Sequence, residues 1–329
     1  MFMKLKKYIL LLFIVFVACE RYELENTELL HTDSWDVDFT LATGNSVVYN
    51  DTLYVLFGRE DSGSAEEPST KFRYAAMSDL SNFVEVDLPI KPRVNAVVIV
   101  VGDKMYAGLG FNGRVYGENS LLQDWWEYDF GSKKWKRLVD FPTKDVVAPI
   151  VWEDEGHIYT LYGSHEGPSG VVYRYDIREN KWDIYSSKKA PWARYKAIGG
   201  VVDNKLYCGG VSTFDSKQYW WCYDWEKDEW DECARVPKTA RFFASSVVIE
   251  NCIYVLGGRF LGGTVTREHF YETIIVYNTR NDEWSTLGRM EYVAENMIAF
   301  EYNGDLYWGL GQSQDGSFVK KIYRKRVEN

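Results

Sequence analysis

The amino-acid sequence predicts an all-β fold: a six-bladed β-propeller with four antiparallel strands per blade, its ring closed by an N-terminal strand. Three observations predict it. A strand-like motif recurs six times at near-constant spacing, a second landmark follows it at a fixed distance, and no segment carries a sustained helical period. The composition agrees, since aromatic residues make up 16% of the 329, with 13 Trp and 24 Tyr, against only 8 Pro. Pleated, half-buried surfaces favour aromatic side chains.

The first motif is a polar turn, an aliphatic–Tyr pair and then Gly. It reads NDTLYVLFG (50–58), GDKMYAGLG (102–110), EGHIYTLYG (155–163), DNKLYCGG (203–210), ENCIYVLGG (250–258) and NGDLYWGLG (303–311). Its tyrosines, Tyr54, Tyr106, Tyr159, Tyr207, Tyr254 and Tyr307, are 52, 53, 48, 47 and 53 residues apart. The second landmark is a Tyr followed seven residues later by Trp: YDFGSKKW (128–135), YDIRENKW (175–182), YDWEKDEW (223–230) and YNTRNDEW (277–284). The first copy keeps only AMSDLSNF (76–83), with Phe83 in place of Trp. The sixth copy has Tyr323 but no following Trp, and Trp35 in DSWDVDF (33–39) supplies the missing piece from the other end of the chain.

Each copy therefore reads as four strands. An apolar strand such as FASSVVI (243–249) leads into a tight polar turn, and Asn-Asp or Asn-Gly suits a two-residue hairpin. The Tyr strand returns, a loop leads to a third strand ending in Tyr-Asp, and a second turn leads to a fourth strand that begins at Trp. Four-stranded sheets repeated radially make a propeller. The pattern resembles the Kelch repeat, whose period is about 50 residues, over residues 33–329. The resemblance implies six blades, with Trp35 in the last strand of blade six.

Within that frame the glycines of IYVLGGRF (253–260) are structural. The stretch looks like a phosphate-binding loop, but no helix follows it, and phosphate capture at such a turn needs a helix N-terminus. Glycine at a strand end instead marks a bend or a close backbone approach.

Residues 1–18 read as a signal peptide. Lys4, Lys6 and Lys7 precede an apolar run from Tyr8 to Ala18 that is too short to span a bilayer. FVAC (16–19) resembles a bacterial lipobox, with Phe16 in place of the usual Leu. The resemblance implies cleavage before Cys19, lipidation of Cys19, a linker over 19–32, and an exported lipoprotein facing the periplasm or the cell surface. Several acyl chains on one cysteine anchor firmly where one alone is marginal.

The formal charge of −10 and the lack of a basic cluster argue against nucleic acid as a partner. Cys208, Cys222, Cys233 and Cys252 lack the spacing of a zinc site and are too few for a disulfide framework, so buried small hydrophobes are expected. With 4 His in the chain no multi-histidine metal site is expected, and no cofactor motif is present.

The topology places the loops after each repeat glycine and the segments leading into each first strand on one face, and the Kelch resemblance implies that this face binds. Loops on a rigid scaffold are where function concentrates. Arg93, Arg194 and Arg241 each lie thirteen residues before a repeat Tyr. Guanidinium groups at one register could converge on a carboxylate, or could belong to the repeat and pair with a neighbouring blade's carboxylate. Arg59, Glu60 and Arg259 share the face, and Asn45, Asn95, Asn296 and Gln312 could add amide contacts. His165, Glu166 and Glu295 are the candidates for proton transfer.

The expected function is a monomeric, lipid-anchored propeller that binds a carbohydrate or protein ligand on its loop face, without cofactor or metal. The alternative is a cofactor-free mutarotase or epimerase of an acidic sugar such as N-acetylneuraminate. Kelch-like exported proteins include such enzymes, but no catalytic motif is matched residue by residue.

Overall fold

The computed structural model describes residues 27–61, 66–112, 120–144, 146, 148–161, 171–188, 197–209, 219–237, 241–260 and 269–327. Among them no α-helix occurs, and six four-stranded antiparallel sheets follow one another along the chain. Blade one comprises Asn45–Tyr49, Thr52–Leu56, Lys71–Ala76 and Val84–Asp87. Blades two to five repeat the order, from the Val97–Val101 strand to the Glu283–Arg289 strand. In blade six, Ile298–Tyr302, Asp305–Gly309 and Lys321–Lys325 are completed by the N-terminal strand Asp33–Asp36. Trp35 stands opposite Ile322 and stacks on Tyr307 at 6.2 Å, as the repeat pattern requires.

The first strand of every blade contacts the first strands of both neighbours, so six inner strands form a closed ring. The expected hairpins between first and second strands are present. Asn50 and Asp51, Asp203 and Asn204, and Asn303 and Gly304 all have positive φ, the backbone that a tight hairpin twisted like its strands demands.

Aromatic packing fills the wedges between blades. Trp125 of blade two meets Trp182 of blade three edge to face at 5.5 Å, and Trp220 of blade four meets Trp284 of blade five at 5.1 Å. The Tyr–Trp landmark also carries a polar lock. The Tyr175 hydroxyl donates to Asn180 at 2.8 Å, and the same amide oxygen accepts the backbone N–H of Val139 in blade two at 3.1 Å. In blade five, Asp282 accepts the Tyr277 hydroxyl at 2.6 Å and the Ala234 N–H of blade four at 2.7 Å. Tyr223 donates to Asp228 at 2.8 Å in the same way. The four cysteines of the described fold are free thiols; Cys208 and Cys222 are buried, Cys233 and Cys252 half-buried.

The repeat glycine works at the loop face. Gly58, Gly110, Gly258 and Gly311 all have φ near +80 to +90°. Each sits against the backbone leading into its own blade's first strand, and a Cβ on Gly258 would lie 2.6 Å from the Phe242 carbonyl oxygen. The glycine N–H then reaches the next blade: Gly58 donates to the carbonyl of Arg93, Gly258 to that of Ala294 and Gly311 to that of Leu41. Gly258→Ala should therefore lose roughly 2–4 kcal/mol, from left-handed strain plus the clash, read as a lower urea midpoint with an unchanged m-value.

Candidate functional site

The segments leading into the first strands meet at the loop-face mouth of the central channel. Thr43, Asn95, Ala148, Phe243 and Asn296 occupy one register, two residues before the first strand, all with positive φ. They are stitched together across blades: the Thr43 N–H donates to the Asn296 carbonyl at 3.0 Å, Asn296 to Phe243 at 2.9 Å, and Ala148 to Asn95 at 3.0 Å. The cavity at the mouth, of about 200 Å³, is lined by Asn45, Asn95 and Asn296 together with Thr43, Phe243 and Ser245. Three of the four expected amides are thus brought together, while Gln312 lines a different cavity. Thr43 and Phe243 were not singled out in the sequence, although their register matches that of Asn95 and Asn296.

The arginine register is different in kind. Arg93 and Arg241 lie four residues before a first strand, where other blades have Leu41, Val146 and Ala294, and all five positions are buried. The Arg93 guanidinium is fully buried and grips Asp124 with two bonds, at 2.9 and 2.6 Å. It also donates to the Leu109 and Lys91 carbonyls and lies 5.3 Å from the Phe57 ring. Arg241 donates to the Thr273 carbonyl at 2.6 Å and to its hydroxyl at 2.7 Å, over the Tyr271 ring at 4.4 Å. Burial pulls its guanidinium down to about 10, so it stays protonated at neutral pH. Both arginines are committed to their own blades rather than aimed together at a ligand. Arg194, His165 and Glu166 lie outside the described residues, as does Cys19.

A second loop-face cavity, of about 280 Å³, opens between blades five and six. Two short ribbons build its walls: Arg259–Phe260 with His269–Phe270, and Ala294–Glu295 with Gln312–Ser313. Glu295 is buried and forms an ion pair with Arg259 at 2.8 Å. The Arg259 guanidinium lies near the rings of Phe243 and Phe270, at 5.2 and 5.9 Å. Gln312, Ser313 and Phe270 complete the lining. Arg59 holds the same register in blade one, where its backbone exchanges two hydrogen bonds with Ala42. Glu60 beside it pairs with the buried Arg73 at 2.6 Å.

The family model for the Attractin/LZTR1 β-propeller matches residues 53–307. The chain belongs to this family. Relatives of this Kelch-type propeller include Kelch-like protein 23 of Pongo abelii, 30% identical over 260 residues, covering 77% of this chain and 42% of that protein. N-acetylneuraminate epimerase 1 of Escherichia coli O6:H1 is 23% identical over 170 residues, covering 52% of this chain and 42% of the relative. The matches therefore span less than half the length of these relatives. The solved structure of YjhT superposes with a TM-score of 0.71 at 14% identity, covering 89% of this chain and 97% of that one.

Burial alone would raise the Asp124 carboxyl, but the hydrogen bonds and charge of Arg93, with help from Trp126, outweigh it and hold it below its ordinary value. A depressed carboxyl contributes stability above its unfolded value of about 4, and that contribution disappears as pH falls through the folded value. Arg93→Ala should cost roughly 3 kcal/mol at pH 7 by stranding a largely buried carboxylate. In urea titrations the gap between wild type and variant should narrow below about pH 4.

Proposed function

We propose that this propeller binds a carbohydrate ligand at its loop face, as an exported protein anchored through lipid on Cys19. The observation that carries the binding reading is the cavity between blades five and six. It gathers a carboxylate, a guanidinium, an amide, a hydroxyl and an aromatic ring, in Glu295, Arg259, Gln312, Ser313 and Phe270. Concave sites with a few convergent polar groups and aromatic wall are the usual form of a small-molecule site. The asparagine-lined mouth beside it adds further amide donors and acceptors, because Asn296 directly follows Glu295 in the chain. The anchor rests on the lysines, apolar run and lipobox-like FVAC of the N-terminus.

A second reading, a cofactor-free mutarotase or epimerase of an acidic sugar, is favoured by the Arg259–Glu295 pair. A carboxylate buried against a guanidinium can move a proton once substrate displaces the guanidinium, which then holds the sugar carboxylate. The epimerase among the relatives makes N-acetylneuraminate the natural probe. Arg93 and Arg241 do not support this reading, because both are engaged within the protein.

Proton NMR of the purified protein with freshly dissolved N-acetylneuraminate, and separately with neutral glycans, tests both. Saturation transfer to a glycan without faster anomer exchange, lost at least tenfold in Glu295→Gln, is the result expected of the binding module. Faster anomer exchange that disappears in Glu295→Gln would promote the enzyme. Neither binding nor exchange with any sugar would sink both.

A further inference from the structure

We propose a second, independent ligand site on the flank of the ring, between blades one and two, that takes one neutral pyranose ring. A cavity of about 280 Å³ opens there, away from the loop-face ribbons. Its walls are aromatic: Tyr54, Phe72 and Tyr74 from blade one, Tyr128 and Trp135 from blade two. The rings form one continuous cluster, with Phe72 edge-on to Tyr128 at 5.1 Å and to Trp135 at 5.9 Å.

The cavity lies where one repeat position is changed. In blades three, four and five the landmark Tyr hydroxyl is satisfied five residues on, by Asn180, Asp228 and Asp282. In blade two that position is Lys133, which has no acceptor to offer. Tyr128, only 6% exposed, lines the cavity, and its hydroxyl makes no hydrogen bond among the described residues. The lock that joins blades two to three and four to five is absent from this interface. Lys133 also has φ of 56°, like Asn180 at 51°, Asp228 at 55° and Asp282 at 56°. That left-handed backbone favours Asn or Asp over Lys. A residue that is worse locally and leaves a cavity-facing phenol without a protein partner is the kind of inconsistency that marks a functional position.

The lining selects the ligand. Aromatic walls with a few polar groups match a ring that is apolar on its C–H faces and polar at its edge. The Tyr128 hydroxyl lies near those of Tyr54 and Tyr74, and burial together with these neighbours pushes it up to about 12, so it remains a neutral donor and acceptor. Lys133 opposes a quaternary ammonium, which aromatic rings would otherwise attract. Asp87, itself paired with Lys71 at 3.0 Å, offsets Lys133, so the lining has no net charge to select an anion. A neutral polyol meets neither objection.

The test uses the whole protein with the methyl pyranosides of glucose, galactose and mannose, followed by saturation-transfer NMR. At least one should receive saturation at its ring C–H protons. Tyr128→Phe should weaken that binding at least fivefold. Lys133→Asn should restore the missing acceptor, weaken binding at least tenfold and melt no lower than wild type, which separates site closure from misfolding. Lys133→Asn should leave the Glu295-dependent signal of the loop-face ligand unchanged, so failure of the loop-face reading is distinguishable from failure of this one. The proposal is overturned if no methyl pyranoside binds at millimolar concentration, if Lys133→Asn binds as well as wild type, or if tetramethylammonium binds in their place.

Discussion

Among the described residues, the blades are held to one another by main-chain hydrogen bonds made where the chain enters a first strand. A four-stranded sheet has two broad faces and cannot bury either alone, so each blade must be held against the next. The repeat glycine of one blade donates its N–H to the segment leading into the following blade, as Gly58 does to Arg93, Gly258 to Ala294 and Gly311 to Leu41. The same glycine is pressed against its own blade's lead-in backbone, where a side chain has no room. The last of these bonds, from blade six to blade one, belongs to the ring that strand Asp33–Asp36 closes. Closure of this kind needs both ends of the chain, so local blade stability and global connectivity are one constraint.

The outer parts of the blades are joined by different chemistry. Aromatic rings interdigitate across the wedges, and the landmark Tyr hydroxyls of blades three and five are tied to an Asn or Asp that also reaches back to the preceding blade, as Asn180 does to Val139 and Asp282 to Ala234. These acceptors occupy left-handed positions at the turn, so turn geometry and inter-blade attachment are specified by the same residue. The interface between blades one and two departs from this arrangement. Blade one has Phe83 where the landmark Trp would stand, and blade two has Lys133 where the acceptor would stand.

Burying an arginine in a propeller demands a defined set of partners, because an unpaired interior charge is severely destabilising. Arg93 meets that demand with the two oxygens of Asp124, and Arg241 with Thr273 and the face of Tyr271. The charged groups that line the loop-face cavity lie instead one layer out, on ribbons that follow the repeat glycine. The longer loops of blades one and five form the ribbons at Arg59–Asp61 and Arg259–Phe260. The Arg259–Glu295 pair is assembled only where the ribbon of blade five meets that of blade six.

The period of the Tyr–Gly motif, the Tyr–Trp separation and the stray Trp35 were sufficient by themselves to determine six blades, four strands each and closure by the N-terminal strand. Those features are local or strictly repeated, and each is set by backbone geometry that a short stretch can encode. Asn95, Asn296, Glu295 and Gln312 were also legible as loop-face residues, since the topology assigns a face to every loop. The direction of a side chain at a given register was not legible. Arg93, Arg241, Leu41, Val146 and Ala294 share one position, and only packing reveals that it points into the interior. The partner of Arg93 lies 31 residues away, and the partner of Arg259 lies on another blade. Such pairings follow from how the blades are wedged together, because a charge is placed by the surfaces that close around it.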